Sequence, residues 1–439
     1  MTTTATYNKS AWLGNYPTHW QVLRIKNIFS EIEDRSTSGN EELLSVSHYT
    51  GVTLKRDSLE NEDDFISNAE TLEGYKRVAK GDLVINIMLA WNGSLGISPF
   101  DGITSPAYCV YRAKENNNPE YFGYLFATNL LKTEFRKKST GIIDSRLRLY
   151  SDKFFSIFSV VPPVEEQNQI VEYIKNQSQK INHFIAKKQQ FIALLKEQKQ
   201  SVINEAVTKG INKKVKLKDT DCQFCTQIPV NYLIEKFNNY VSIKHGFQFR
   251  DGDFTAEGVK IVKISQLNPN GYLDLTNADT ISSKRIKEFA NIIIKDGDIL
   301  MALTGGTIGK LIIANTNEEI LLQNYRVGNF TVNNEQVLLK EYLYMQLCSP
   351  FIQSQINFFV RETGQPNIGK GDFRKLKIVI PPFEEQTQIV NQIKTETVII
   401  DTAIAKTERE IELIKEYKEA MIAEAVMGKV NFNKTVNAQ

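Results

Sequence analysis

Pro162-Pro-Val-Glu-Glu-Gln-Asn-Gln-Ile-Val171 recurs as Pro381-Pro-Phe-Glu-Glu-Gln-Thr-Gln-Ile-Val390, 219 residues further along the chain. Extended without a gap, 23 of the 46 positions in 162–207 are identical to those in 381–426. Both copies close on Glu-Ala-Val, at 205–207 and 424–426, with a glycine shortly after, at Gly210 and Gly428. The period is far longer than the ~20–50 residues of a solenoid repeat. The chain is a tandem duplication.

Each copy predicts a long helix. Proline suits the first turn, and the paired glutamates suit the positive end of the helix dipole. Apolar residues follow at steps of three and four: Ile170, Ile174, Ile181, Phe184, Phe191, Leu195 and Val202 in the first copy. The second gives Ile389, Ile393, Ile400, Ile404, Ile411, Ile414 and Met421. Neither copy contains an internal proline or glycine, and about 45 residues at ~1.5 Å each make a rod of roughly 65–70 Å. A stripe near period 3.5 is a coiled-coil seam, so the two helices are expected to pair. Gln177, Lys188 and Glu410 interrupt it.

Outward from the helices, the two preceding segments share only a skeleton. Gly81-Asp-Leu-Val-Ile85 matches Gly297-Asp-Ile-Leu-Met301, a turn entering an apolar strand. Glycine loops follow at 93–96 and 306–309, then helical stretches at 119–125 and 339–345, then Thr-Gly loops at 140–141 and 363–364. A β-rich run enters each Pro-Pro, Phe154 to Val161 and Leu376 to Ile380. The predicted organisation is globular domain 1–160, helix 161–212, globular domain 213–380, helix 381–430 and a tail 431–439. The fold class is α+β: two α/β globular domains separated by two long helices that pair as an antiparallel coiled coil, with pseudo-two-fold duplication.

Composition sets the bounds. With 53 basic and 51 acidic side chains in 439 residues, the net charge is +2, which excludes a uniformly basic coat for nucleic acid. Four cysteines, Cys109, Cys222, Cys225 and Cys348, make no disulfide framework in so long a chain. The uncharged stretch Leu83 to Phe100 contains Asn86, Asn92, Gly93, Gly96 and Pro99 and fails as a membrane span. The N-terminus carries no signal-peptide pattern, so the expectation is a soluble, cytoplasmic protein without a membrane partner.

The usual chemistry is missing from the motifs. Gly305-Gly-Thr-Ile-Gly-Lys310 has Thr304 and Leu311 where a phosphate loop needs glycine and a hydroxyl, and reads instead as a tight turn between strands. Cys222-Gln-Phe-Cys225 has no second pair at zinc spacing. The four histidines are scattered, and neither a metal site nor a nucleophile triad is visible. The Pro-Pro pairs lack the flanking residues of an adenine methyltransferase motif. These absences predict a binding scaffold with no catalytic residue, metal or cofactor of its own.

Positive charge is local. From Lys132 to Lys153 seven bases, among them Arg136, Lys137, Lys138, Arg146 and Arg148, face three acids, a surplus of four. From Arg361 to Lys377 five bases, including Lys370 and Arg374, face two acids, a surplus of three. Basic residues at matching places suit phosphate contacts, and Arg, Gln and Asn read base edges. The second helix, from Phe383 to Lys429, has ten acids and six bases and reads as a protein-contact surface.

Taken with the loops Ser139-Thr-Gly-Ile-Ile-Asp-Ser-Arg-Leu-Arg-Leu149 and Thr363-Gly-Gln-Pro-Asn-Ile368, the duplicated Pro-Pro-x-Glu-Glu-Gln helices and the Gly-Asp strands resemble the specificity subunits of type I restriction-modification systems over nearly the whole chain. The resemblance implies two target-recognition domains, each reading half of a split, asymmetric site in double-stranded DNA. It implies spacer helices that fix the gap and dock two methyltransferase subunits, with Glu165, Glu166, Gln167, Ile174, Ile181, Leu195, Glu384, Glu385, Gln386, Ile393, Ile400 and Ile414 on them. S-adenosylmethionine, ATP and Mg are then expected on partner methyltransferase and restriction subunits. Carried onto the matched loops, it makes Arg146, Arg148, Gln365 and Asn367 candidate DNA contacts. A fused methyltransferase or endonuclease with duplicated halves, and a coiled-coil adaptor without DNA specificity, are the competing readings.

Overall fold

The structure is a computed structural model that describes residues 7–10, 12–48, 50–55, 71–143, 146–268, 271–360 and 366–430. It divides into two compact units, one of residues 1–188 with 409–439, the other of 189–408. The chain passes from one to the other inside each long helix, Val164–Lys209 and Phe383–Val426. No described helix is long and apolar enough to cross a membrane.

The first unit is built on an antiparallel sheet of four strands in the order Phe29–Glu31, Tyr108–Ala113, Leu83–Asn86, Leu95–Ile97. Its central strand Leu83–Asn86 is buried along its whole length, as an apolar run between two neighbours must be. Gly81 enters that strand at φ +93°, a left-handed turn that glycine makes without strain. Asp82 then accepts from the Ala79 amide and from both Nε and Nη2 of Arg112, so the Gly-Asp motif is a folding device. Helices Pro119–Phe126, Asn129–Lys138 and Ser151–Ser156 cover the sheet through an aromatic cluster of Phe29, Phe122, Phe126, Phe135 and Phe154.

The second unit repeats the sheet as Val241–His245, Val327–Val332, Ile299–Ala302, Leu311–Ile313. It carries an additional five-stranded sheet with one parallel pair, Val259–Val262 beside Leu321–Gln323. Helices Lys340–Cys348 and Pro350–Phe359 take the covering role, around Phe237, Phe330 and Phe373. The Gly305-Lys310 stretch opens as a 3-10 turn, Gly305–Thr307, between the antiparallel strands Ile299–Ala302 and Leu311–Ile313, as its sequence predicts.

Within each unit a stretch of the first long helix lies antiparallel to a stretch of the second. In the first unit Lys188 Nζ meets Glu410 Oε2 at 2.6 Å, and Lys418 donates to Asn182 Oδ1 at 2.9 Å, eight residues on against six back. In the second unit Lys199 bonds both oxygens of Asp401 at 2.7 Å, while Ile203, Ala206 and Val207 join Ile389, Val390 and Ile393 in one core. The inward positions step by four and three: Ile174, Ser178, Ile181, Ile185, Lys188, Ile192, Leu195, Lys199, Val202, Ala206, all buried or half-buried. The second helix matches them 219 residues later, from Ile393 to Ala425.

Three expectations change. Phe184 and Phe191 are not seam residues; they are 44% and 46% exposed, and Ile185 and Ile192 take the inward places. Both neighbours satisfy a three-or-four step, and only the strict heptad selects the isoleucines. The interruptions Lys188 and Glu410 are each other's partners. Phe154 to Ser156 belong to a helix, and the strand before the first Pro-Pro is Phe158–Val161, paired with Gln21–Arg24.

Candidate DNA interface and spacer helices

The Pro-Pro-x-Glu-Glu-Gln motif works as an internal bracket. Gln167 is fully buried; its Nε2 donates to the Pro162 carbonyl at 2.8 Å, and its Oε1 accepts the Asn118 amide at 2.7 Å. Gln386 does the same with Pro381 and with the Leu339 amide. Each glutamine thus ties its helix start to the beginning of a covering helix. The preceding glutamates hold the chain entry: Glu166 lies 2.8 Å from His19 Nε2, and Glu385 accepts the Tyr232 hydroxyl at 2.6 Å. Burial raises the Tyr232 pKa, and the Glu385 bond raises it further. The first glutamates, Glu165 and Glu384, are exposed, and no described residue pairs with them.

The seam residues Ile174, Ile181, Ile393 and Ile400 are buried, and Leu195 and Ile414 half-buried, all turned into the helix pairing. The outer faces still carry large apolar side chains. Leu413 and Tyr417 join Phe184 in the first unit; Phe191, Leu194, Val398 and Ile399 do so in the second, with Val398 61% and Ile399 67% exposed. On the second helix, which is acidic overall, such residues have the composition of a surface that another protein covers.

The basic candidates of the first unit gather around two segments. Arg136, on the last turn of Asn129–Lys138, lies with its guanidinium carbon 5.0 Å from the Trp91 ring centre. Lys137 pairs with Glu134 at 3.5 Å, and Lys138 is exposed on the same turn. Arg146 is exposed in the loop beyond, while Arg148 bridges Thr140 across that loop and donates to the Leu147 carbonyl. Leu149 then donates to the Ile87 carbonyl at 2.9 Å, fastening the loop to the end of the central strand.

In the second unit Asn367 bridges Thr304, and Ile368 donates to the Leu303 carbonyl at 3.0 Å. Leu149 and Ile368 therefore close equivalent loops, which puts Arg148 and Asn367 in matching places. Lys370 and Arg374 instead border a hollow of about 170 Å³ with Phe237, Asn238 and Ser242, near the start of Val241–His245. Arg361 and Gln365 lie outside the described residues, as do Asp144, Ser145 and the tail 431–439.

The remaining chemistry-bearing groups sit in the packing. Cys222 and Cys225 are buried at the turn joining Leu217–Asp219 to Gln227–Pro229 and are free thiols, like Cys109 and Cys348. Burial raises the Cys225 pKa, and the neighbouring Cys222 raises it further. Among the described residues no group of His, Cys, Asp or Glu is arranged to hold a metal ion.

A family model described as the type I restriction modification DNA specificity domain matches residues 17–194 and again 241–413. Among curated proteins, the type I restriction enzyme MjaVIII specificity subunit of Methanocaldococcus jannaschii is 26% identical over 94% of this chain and 93% of its own. The type I restriction enzyme EcoBI specificity subunit of Escherichia coli is 21% identical over 85% of this chain and 79% of its own. A chain from a structural study of complex assembly and conformational transition of the type I R-M system superposes with a TM-score of 0.65, at 14% identity, covering 94% of this chain and 99% of that one. That likeness is one of fold.

Proposed function

The chain belongs to the type I restriction modification DNA specificity family, and from that premise we propose that each globular region reads one half of a split, asymmetric duplex sequence. The helix pair fixes the gap between the halves and docks two methyltransferase subunits. One observation carries this reading: the same frame is built twice around different contact loops. Tyr121 and Tyr342, Gln167 and Gln386 make matching bonds, whereas the corresponding loop positions hold Arg148 and Asn367. A repeated frame with unlike readers suits a target whose two halves differ.

The exposed apolar residues of the two helices, with the acidic surplus of the second, support the docking role. In the assembled complex the methyltransferase subunits bind S-adenosylmethionine and methylate adenine, and restriction subunits with ATP and Mg cleave. This chain supplies address and spacing and no reacting group.

Modified-base sequencing of DNA from cells with and without this chain, both carrying the partner subunits, tests the proposal. The expected result is methylated adenine in a bipartite motif that vanishes when the chain is removed. A motif that persists without the chain overturns it, and so does methyl transfer from labelled S-adenosylmethionine by the purified chain alone.

A further inference from the structure

At one end of the four-stranded sheet in the second unit, four loops are locked side by side by backbone hydrogen bonds. Tyr325 donates to the Phe247 carbonyl, Leu303 to the Arg326 carbonyl and Ile368 to the Leu303 carbonyl, each at 3.0 Å; Gly305 donates to the Pro366 carbonyl at 2.9 Å. Phe247, Tyr325, Arg326, Thr304 and Asn367 therefore share one continuous floor, although they are far apart in sequence. Gly246 is required there, because a Cβ would stand 1.9 Å from the Gln323 carbonyl oxygen.

Among the described residues, Arg326 is held on this floor without a carboxylate. Its guanidinium carbon lies 5.3 Å from the Tyr325 ring centre, and its Nε donates to the Tyr325 hydroxyl at 2.7 Å. Among the described residues no acid lies within ion-pair distance of it and its two Nη groups make no hydrogen bond, whereas Arg285 is fixed by Asp253 and Glu288, and Arg112 by Asp82. A half-buried guanidinium that is fixed at Nε, with no described partner at either Nη, has already given up much of the rotamer freedom that binding otherwise costs. Two further polar atoms at the same end, Thr304 Oγ1 and His245 Nε2, are buried without a hydrogen-bond partner among the described residues. Such groups carry a desolvation penalty that an incoming polar ligand relieves.

We infer that Arg326 reads a base edge in the half-site of the second unit, with guanine as its preferred base and Tyr325 as its positioning residue. The inference rests on the half-site reading above. The planar fork of donors, stacked on Tyr325, matches guanine O6 and N7 in the major groove with a rigidity that the single ammonium of a lysine does not reproduce. In the first unit the registers Asn86↔Tyr108 and Ala302↔Val327 put Ala107 in the place of Arg326, while Arg148 stands in the place of Asn367. The two faces thus offer their arginine at different points of the same frame.

The test is modified-base sequencing of cells carrying the whole complex with the wild-type chain, Arg326→Ala, Arg326→Lys or Tyr325→Phe. In Arg326→Ala and Arg326→Lys, one base pair in one half of the motif is expected to relax by about tenfold or more, with the other half unchanged. Tyr325→Phe keeps the ring, loses the hydroxyl contact and relaxes the same base pair less. Full discrimination in Arg326→Lys overturns the inference, since a phosphate contact survives that change. An unaltered motif in Arg326→Ala does so too. If Arg326→Ala fails to assemble, Arg326→Lys decides alone, its fold checked by the melting temperature. A wild-type complex without a bipartite motif overturns the half-site reading instead, so the two failures are distinct.

Discussion

Tyr121, in the globular part of the first unit, donates its phenolic hydrogen bond at 2.8 Å to the carbonyl of Val426, at the end of the second long helix and 305 residues away in sequence. Tyr342 repeats the bond in the second unit, reaching the Val207 carbonyl at 3.0 Å, at the end of the first long helix. Each globular region is therefore cored by the start of the helix that follows it and by the end of the other one. In the first unit Trp20, Tyr121, Ile170 and Ile174 pack in one cluster with Ala425, Val426 and Met427.

Tyr121→Phe should cost about 1–2 kcal/mol, because it leaves a buried helix-end carbonyl without its donor. Differential scanning calorimetry would show the first thermal transition lowered by several degrees. Burial holds this phenol protonated far above the ordinary tyrosine range, so its bond persists through neutral and moderately alkaline pH. An unchanged melting temperature would mean that water satisfies the carbonyl.

A fragment of residues 1–212 lacks Ala425, Val426 and Met427 of its own core. It should bind a hydrophobic dye and exchange its amide protons rapidly. Adding a peptide of residues 405–430 should restore protection. Full protection in the fragment alone would show that the helix end is dispensable.

Much of this frame was legible in the sequence, because a duplication and a heptad stripe are patterns of residue order that need no knowledge of tertiary contacts. The seam residues Ile174, Ile181, Ile393 and Ile400 follow directly from the spacing. The choice of Ile185 over Phe184 did not, since adjacent apolar residues fit a three-or-four step equally and burial decides between them. The burial of Gln167 was also hidden: a glutamine beside two glutamates reads as surface until the Pro162 carbonyl and the Asn118 amide converge on it. The floor around Arg326 joins segments that only the sheet brings together, and no charge cluster marks it in the chain. The basic patches, by contrast, were visible but divided in space, with Asn367 at Thr304 and Arg374 at Phe237.

Arg374 is exposed and borders a hollow rather than the loop floor. Arg374→Ala should weaken DNA binding about equally on all sequences and reduce the salt slope by about one. Fluorescence anisotropy of the assembled complex across a salt series measures both. A change in preferred sequence would move Arg374 from the backbone to the bases.

Cys348 is half-buried, and burial pushes its thiol up to about 11, countered in part by the hydrogen bond with Tyr344. At pH 8 the native thiol should therefore react with iodoacetamide far more slowly than the unfolded chain, whose cysteines ionise near pH ~8.5. The folded pKa is the higher one, so this group's contribution to stability is intact below the unfolded value and is lost as pH rises from about 8.5 towards 11. Mass spectrometry of the labelled native chain measures the rate, and labelling at the denatured rate at pH 8 would contradict the raised pKa.

Lys199 with Asp401 and Lys418 with Asn182 occupy equivalent places, one an ion pair and the other neutral. Asp401→Asn should accordingly cost less than about 1 kcal/mol, since Lys199 and Asp401 both remain partly exposed.

If the helix pair sets the gap, inserting one heptad in each helix, between Lys188 and Ile192 and between Thr407 and Ile411, keeps every seam residue in phase. Seven residues add ~10.5 Å of helix, equivalent to about three base pairs at ~3.4 Å each. Modified-base sequencing should then return the original half-sites separated by a longer gap. Insertion of four residues breaks the four-and-three alternation and should destabilise the pairing instead, visible as a lower melting temperature. New half-sites at the old spacing would show that the helices do not act as the spacer.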